Sequence, residues 1–396
     1  MNILTSWTKV KKKTITAFVI SAGVVVLTYS FYGKSFPALL LLTAAFLLAA
    51  LIRYENIRSV GVVAVSTLLS LAMAELVVAW VVPAQKVLTS YDRDSDFVKK
   101  GLTGLIGSGR LPEKGVYSSR KLSYAGEELY NVKYSIGNDG FRITSPQRQS
   151  DFRVNFFGCS WTIGDGLDDH ETLPYFVNAR IPNISVKNFG FHGWGAHNAL
   201  AILQSNHDTR GTIAFFLTAP WHVPRSACKY SWTHGSPRFV LSANGRAELA
   251  GQCREKALSN LAQRLLKHSR LYKILQDVFE NRQGNSDYDL YFAIVRQMGE
   301  ISRSRHQKFI VGFIKAKEDF FGGSDYSNES FRQKLEGIAD EVIDLTLADK
   351  VENLDKRFRI HELDDHPTAA ANKIRADVLV NLFAKYGADL RLSIDQ

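Results

Sequence analysis

Three nearly uninterrupted apolar runs open the chain, at residues 14–32, 36–52 and 60–82, of 19, 17 and 23 residues. A helix needs roughly 17–25 apolar residues to cross a bilayer. Residues 1–83 are therefore expected to form a membrane anchor of three transmembrane helices (about 14–32, 36–52 and 60–82). A cleavable leader has a shorter apolar core and a small-residue cleavage site, and here two further runs follow the first, so the anchor is expected to be retained.

The flanking charges set the sidedness. Lys9, Lys11, Lys12 and Lys13 precede the first run, Lys34 stands alone between the first and second, and Arg53 and Arg58 lie between the second and third. Positive residues stay inside, which puts the N-terminus in the cytoplasm. Three crossings then deliver everything after Pro83 to the far face, in a bacterium the periplasmic side of the inner membrane. Glu75 falls within the third run, where a carboxylate is costly, and it is expected to face other helices or a partner.

The net charge of +10 would suggest a nucleic-acid partner if it were gathered on one folded face. Residues 1–83 hold seven basic and two acidic side chains, so half the excess already belongs to membrane topology, and no nucleic-acid partner is expected. Three cysteines exclude a disulfide-dense small fold. Cys228 and Cys253 flank an expected hairpin, and an oxidising compartment permits them to pair, while Cys159 is expected to remain a free thiol.

Residues 84–150 turn polar and read as a membrane-proximal linker ending in a β element near 132–143. From 151 the chain becomes regular: strands at 152–158, 184–190 and 212–218 alternate with helices at 171–180 and 196–207. Such alternation is the sequence form of βαβ units on a parallel sheet, an α/β fold. Residues 227–284 interrupt it with a hairpin turning at Asn244-Gly245 and a helical run at 257–280, and read as an insertion. Helices at 288–303 and 329–339, strands at 308–314 and 342–347, and a last helix at 369–385 closed by Gly387 complete a domain spanning 151–396.

Two segments carry the chemistry. Phe157-Gly158-Cys159-Ser160-Trp161-Thr162-Ile163-Gly164-Asp165-Gly166 follows a strand directly, which presents Ser160 at the carboxyl edge of the sheet, where open α/β folds place ligands. Asp364-Asp365-His366-Pro367 precedes the last helix. A serine hydroxyl becomes a good nucleophile when an imidazole takes its proton, and the imidazole works best when a carboxylate holds its other nitrogen. His192, His197 and His222 lack the short spacing of a metal site, so no metal is expected, and no cofactor. Trp161, Trp194 and Trp221 follow three strands at the expected site, where they either form aromatic walls that suit sugar rings or simply pack into the fold.

Together these segments resemble the SGNH hydrolase superfamily, the GDSL-type esterases and lipases, over about residues 151–387. Gly158-Cys159-Ser160-Trp161-Thr162 is similar to its first block, with Cys159 where the name-giving Asp would stand. Asn188-Phe189-Gly190-Phe191-His192-Gly193 is similar to the second block, and Asp364 and His366 to the last. The resemblance implies a flavodoxin-like three-layer α/β/α domain with a parallel sheet. It implies Ser160 as nucleophile, His366 as base and Asp364 as orienting acid, with Asp365 as runner-up because the more familiar position, three before the His, is Leu363. The backbone N–H groups of Ser160 and Gly193 would form the oxyanion hole.

The third-block Asn has no counterpart in Leu217-Thr218-Ala219-Pro220-Trp221-His222-Val223-Pro224-Arg225, which leaves His222 or Arg225 to substitute. Trp161, Trp194, His222 and Arg225 are the candidate substrate contacts. Tyr134-Ser135-Ile136-Gly137-Asn138-Asp139-Gly140-Phe141-Arg142 is similar to the lead-in of membrane-attached bacterial members, with Arg142 expected to anchor a carboxylate or substrate. The expected function is a membrane-tethered, extracytoplasmic serine esterase or O-acyltransferase. Its partners would be an acylated carbohydrate or other acyl ester, the lipid bilayer, and other envelope polysaccharide proteins. The alternative is a non-catalytic assembly or carbohydrate-binding component of an envelope polysaccharide machine.

Overall fold

The computed structural model describes residues 45, 58–81, 97, 111–123, 126–253, 269, 271, 284–321, 324–347, 357–362 and 364–394. The chain divides into two compact units, residues 1–85 with 256–280, and residues 86–255 with 281–396.

In the first unit, α1 (Arg58–Val81) coincides with the third expected span, and the first two spans lie outside the described residues. Among the described residues no helix is long and apolar enough to cross a membrane. Glu75 on α1 is buried, and its Oε2 accepts hydrogen bonds from Ser269 Oγ at 2.7 Å and Leu271 N at 3.1 Å. The Ser269 hydroxyl and the Leu271 backbone N–H thus satisfy the buried carboxyl group. The expected helix at 257–280 lies outside the described residues except at these two positions.

The second unit is built on a five-stranded parallel sheet of β3 (Arg153–Gly158), β4 (Ser185–Gly190), β5 (Ile213–Thr218), β8 (Lys308–Phe313) and β9 (Glu341–Asp344), in the order β4-β3-β5-β8-β9. Strand side chains alternate faces. Val154, Phe156, Ile213, Phe215, Leu217 and Ile310 go to one side, where α3 (Leu173–Arg180) and α8 (Ala369–Ile394) cover them with Leu173, Val177, Leu379 and Phe383. Phe157, Ala214, Phe216, Phe309, Val311 and Phe313 go to the other. There α4 (Ala196–Gln204), α5 (His222–Ser226), α6 (Asn285–Ser304) and α7 (Asn328–Glu336) supply Leu200, Val223, Tyr291 and Phe331. Each such aromatic or aliphatic side chain contributes about 1.5–3 kcal/mol on burial, and together they fix the three layers.

Three boundaries differ from expectation. Gly387 does not end the last helix, which runs to Ile394; a helical glycine costs only about 1 kcal/mol, and no proline follows to force a stop. The stretch expected as a linker holds an antiparallel hairpin of β1 (Gly115–Leu122) and β2 (Glu128–Ile136). Its Tyr117, Tyr134 and Ile136 pack with Phe97, Ile163 and Phe191 in a third core cluster, so this stretch is part of the second unit. The insertion is split: β6 (Pro237–Leu241) and β7 (Ala247–Gln252) form the expected hairpin within the second unit, while residues 256–280 belong to the first.

Candidate active site

The carboxyl ends of β3 and β4 stand in register at Gly158 and Gly190. Thr162, on the short helix α2 (Ser160–Ile163), packs between them so closely that a Cβ at Gly158 would lie 2.1 Å from Thr162 Oγ1, and one at Gly190 2.6 Å from Thr162 Cβ. Only glycine fits at either place. Asn188 locks the two turns together: its Nδ2 donates to Thr162 O at 3.0 Å while its Oδ1 accepts from Gly190 N at 3.0 Å. Ser160 therefore opens α2 beside the loop carrying Gly193. Among the described residues neither the Ser160 nor the Gly193 backbone N–H has a hydrogen-bond partner, which leaves both available for an oxyanion.

Across the site, β10 (Arg359–His361) pairs with β11 (Asp364–Pro367), and β11 packs against α2. His366 Nδ1 is hydrogen-bonded to Asp364 Oδ1, which also accepts the His366 backbone N–H at 3.1 Å. Asp365 turns outward, 67% exposed, and its Oδ1 lies 3.5 Å from Arg359 Nη1, so Asp364 is the acid that meets the ring. Among the described residues no hydrogen bond links Ser160 Oγ to the ring, where a nucleophile and its base meet at about 2.6–3.2 Å. The Nε2 edge instead lies 3.8 Å from Oδ2 of Asp165.

Asp165 was not among the expected site residues. Hydrogen bonds from Gly164 N and Asp165 N to Ser160 O, at 3.0 and 2.9 Å, curl the chain back so that its carboxylate returns beside the start of α2. It accepts from Tyr130 OH at 3.1 Å and Tyr134 OH at 2.9 Å, and its Oδ2 lies 3.1 Å from His192 Nδ1. The hairpin supplies Lys121 as well, whose Nζ donates to Asp364 Oδ2 at 2.8 Å.

These contacts shift the acids and the base. Burial pushes the Asp364 carboxyl up, but the hydrogen bond and charge of His366 and the Lys121 ammonium outweigh it and hold it at about 2. Burial also opposes ionisation of Asp165, and His192, His366 and Lys121 together bring it well below the carboxylate range. Burial lowers the His366 ring, but its bond to Asp364 and the charges of Asp165 and Asp364 raise it above the ordinary value, with Lys121 opposing.

Of the expected substrate contacts His222 is buried, and Trp161, Trp194 and Arg225 are half-buried. His222 is fully buried: its Nδ1 meets Thr218 Oγ1 at 3.0 Å, and burial holds the ring well below the usual histidine value. Arg225 Nη1 donates to Trp194 O at 3.0 Å, and Trp194 packs between Phe141 and Phe191. Trp161 lies against Trp221 and under the Arg375 guanidinium, on the α8 side of the sheet. Arg142 holds Asp169 and loop carbonyls rather than a substrate.

The aromatic surface that does reach the site was missed. Trp232 is 43% exposed and stacks on Tyr230 with ring centroids 4.1 Å apart; its Cδ1 lies 3.0 Å from where a Cβ of Gly193 would be. A disulfide between Cys228 and Cys253, with Cα atoms 5.5 Å apart, closes the segment that carries the pair. Cys159 is a buried free thiol. Among the described residues no group of three or more His, Cys, Asp or Glu is arranged to hold a metal ion.

Fold and site define an α/β protein with a Ser, His and Asp constellation at the carboxyl edge of a parallel sheet. No family model matches the sequence, and no curated protein matches it. Among solved structures the chain is similar to a member of the lipolytic protein G-D-S-L family from Veillonella parvula, at 13% identity and a TM-score of 0.36 over 59% of this chain and 98% of that one. It is also similar to a protein from Bacillus subtilis, at 12% identity and a TM-score of 0.33 over 70% of this chain and 76% of that one. The chemistry of the site rests on its own residues and distances.

Proposed function

We propose that the chain is a membrane-tethered serine esterase or O-acyltransferase, acting outside the cytoplasm on acyl esters, foremost acetyl esters, of an envelope or exported polysaccharide. The observation that carries this reading is the Asp364 and His366 pair on β11 against α2, with the unengaged N–H groups of Ser160 and Gly193 beside it.

In the proposed reaction the ring swings from Asp165 towards Ser160. Ser160 Oγ attacks the ester carbonyl carbon as its proton passes to His366 Nε2, and the two N–H groups hold the oxyanion. Collapse expels the alcohol, which takes the proton from His366 and leaves an acyl-Ser160 ester. Water as the second acceptor gives a carboxylic acid and an esterase. A sugar hydroxyl gives a new ester and a transferase.

The Tyr230 and Trp232 stack beside Gly193 supports a ring-bearing substrate, and the three apolar runs with Lys9–Lys13 support the tether and its sidedness. The test is labelling of the full chain by a fluorophosphonate probe, alongside release of acetate from an acetylated polysaccharide. Wild type is expected to be labelled and active, and Ser160→Ala neither. An unlabelled, inactive wild type would replace this reading with a non-catalytic carbohydrate-binding role. A reporter fused after Gln396 is expected to work only as an extracytoplasmic type.

A further inference from the structure

Three charged side chains surround the His366 ring: Asp364, Lys121 and Asp165. On the Nδ1 side, Asp364 gives Oδ1 to the ring and Oδ2 to Lys121 at 2.8 Å, with the acid and lysine side chains 2% and 9% exposed. On the Nε2 side stands Asp165 Oδ2 at 3.8 Å, backed by His192, Tyr130 and Tyr134. The remaining titratable side chains on β10 and β11 are paired at the rim, Arg359 with Asp365 at 3.5 Å and His361 with Glu127 at 3.2 Å.

Burying two carboxylates and an ammonium around one imidazole is costly, and apolar packing would stabilise the unit at least as well. Stability alone does not account for the arrangement. Its geometry is specific to the ring: Lys121 occupies the Asp364 oxygen that His366 does not use, and Asp165 faces the nitrogen that Asp364 does not reach.

We propose that Lys121 and Asp165 are positioning residues for His366, an inference that rests on the esterase reading: Lys121 fixes the Asp364 carboxylate so that Oδ1 faces the ring, and Asp165 parks the Nε2 edge beside α2 between turnovers. The two act with opposite sign on the ring proton. Asp165 attracts an imidazolium, and Lys121 repels it. A parked, protonated ring cannot accept the Ser160 proton, so the base works only after it has been released from Asp165.

The test reads the ring directly in the full chain in detergent, labelled with 13C at histidine Cε1 in a Ser160→Ala background, so that no catalysis is needed. The His366 signal is identified by its loss in His366→Gln. Asp165→Asn is expected to lower the titration midpoint of His366 by about one pH unit, and Lys121→Met to raise it by about as much. Lys121→Arg is expected to restore the starting midpoint.

With Ser160 present, the acidic limb of kcat/KM for p-nitrophenyl acetate is expected to move with the same signs. Midpoints that do not move, or that move in the same direction in both variants, overturn the proposal. Should Lys121→Met fail to fold, Asp165→Asn decides alone, because its midpoint has to fall. Opposite shifts in a chain that hydrolyses no ester support the positioning and overturn the esterase reading; full activity with no shifts does the reverse.

Discussion

Arg142 Nη1 lies 2.7 Å from the carbonyl oxygen of Gly164, four residues beyond the nucleophile candidate. The same guanidinium donates to Ile163 O at 2.9 Å, Leu167 O at 2.6 Å and Asp169 Oδ1 at 2.8 Å, and lies 4.2 Å from the centre of the Tyr134 ring. A planar fork with five N–H groups can serve so many acceptors, whereas an ammonium on a flexible stem cannot. Arg142 is therefore the brace of the loop that presents Asp165.

Replacing it tests that role. Arg142→Lys is expected to lose about 3 kcal/mol, because buried carbonyls lose charged donors that the shorter head cannot reach. Urea unfolding followed by tryptophan fluorescence measures the loss, and a midpoint unchanged from wild type would rule out the bracing role.

Acid should weaken the second unit in a defined window. The Asp364 carboxyl is depressed in the fold to about 2, so its contribution is fully present above its unfolded value near 4 and disappears as pH falls towards 2. The linkage is worth about 2 kcal/mol for this side chain, which is almost wholly buried. In Asp364→Asn the fall in stability between pH 4 and 2 is expected to shrink by that amount, as read from thermal melts across the range.

How far the sequence reached follows from the range of each interaction. The parallel sheet was legible because β5 and β8 are apolar runs and β3 carries Val154, Phe156 and Phe157, with helical spacing between them, and the turn that carries Ser160 because its glycines are local. Asp364 and His366 were legible as a pair two residues apart. Lys121 was not, because it sits on a strand of alternating polar residues, 243 positions from the carboxylate it meets. Asp165 stood in view between Gly164 and Gly166 but gave no sign of a partner in His366. The tryptophans after the strands could be placed at the strand ends but not assigned to core or surface, and all three are half-buried, while Trp232 lay in an insertion whose packing no periodicity announces.

The disulfide makes a graded prediction. Cys228 and Cys253 are 25 residues apart, and opening a loop of that length is expected to cost about 3 kcal/mol. Cys228→Ser with Cys253→Ser should unfold at correspondingly lower urea, and wild type treated with a reductant should match it. Reduced wild type that is as stable as the oxidised chain would show that β6 and β7 hold the segment without the bridge.

The indole beside Gly193 separates recognition from chemistry. Gly193 has φ of +69°, a conformation that L side chains rarely adopt, and an added methyl would meet Trp232 Cδ1 at 3.0 Å. Gly193→Ala is therefore expected to displace the N–H proposed to hold the oxyanion and to lower kcat about 100-fold on any ester. Trp232→Ala leaves that N–H in place and removes only the exposed face stacked on Tyr230. An aromatic contact of about 1 kcal/mol predicts a KM raised roughly fivefold for an acetylated oligosaccharide, with p-nitrophenyl acetate nearly unaffected. Equal losses on both substrates would mean that Trp232 shapes the Gly193 loop rather than holding a ring, and steady-state kinetics of the two variants on the two substrates distinguishes these outcomes.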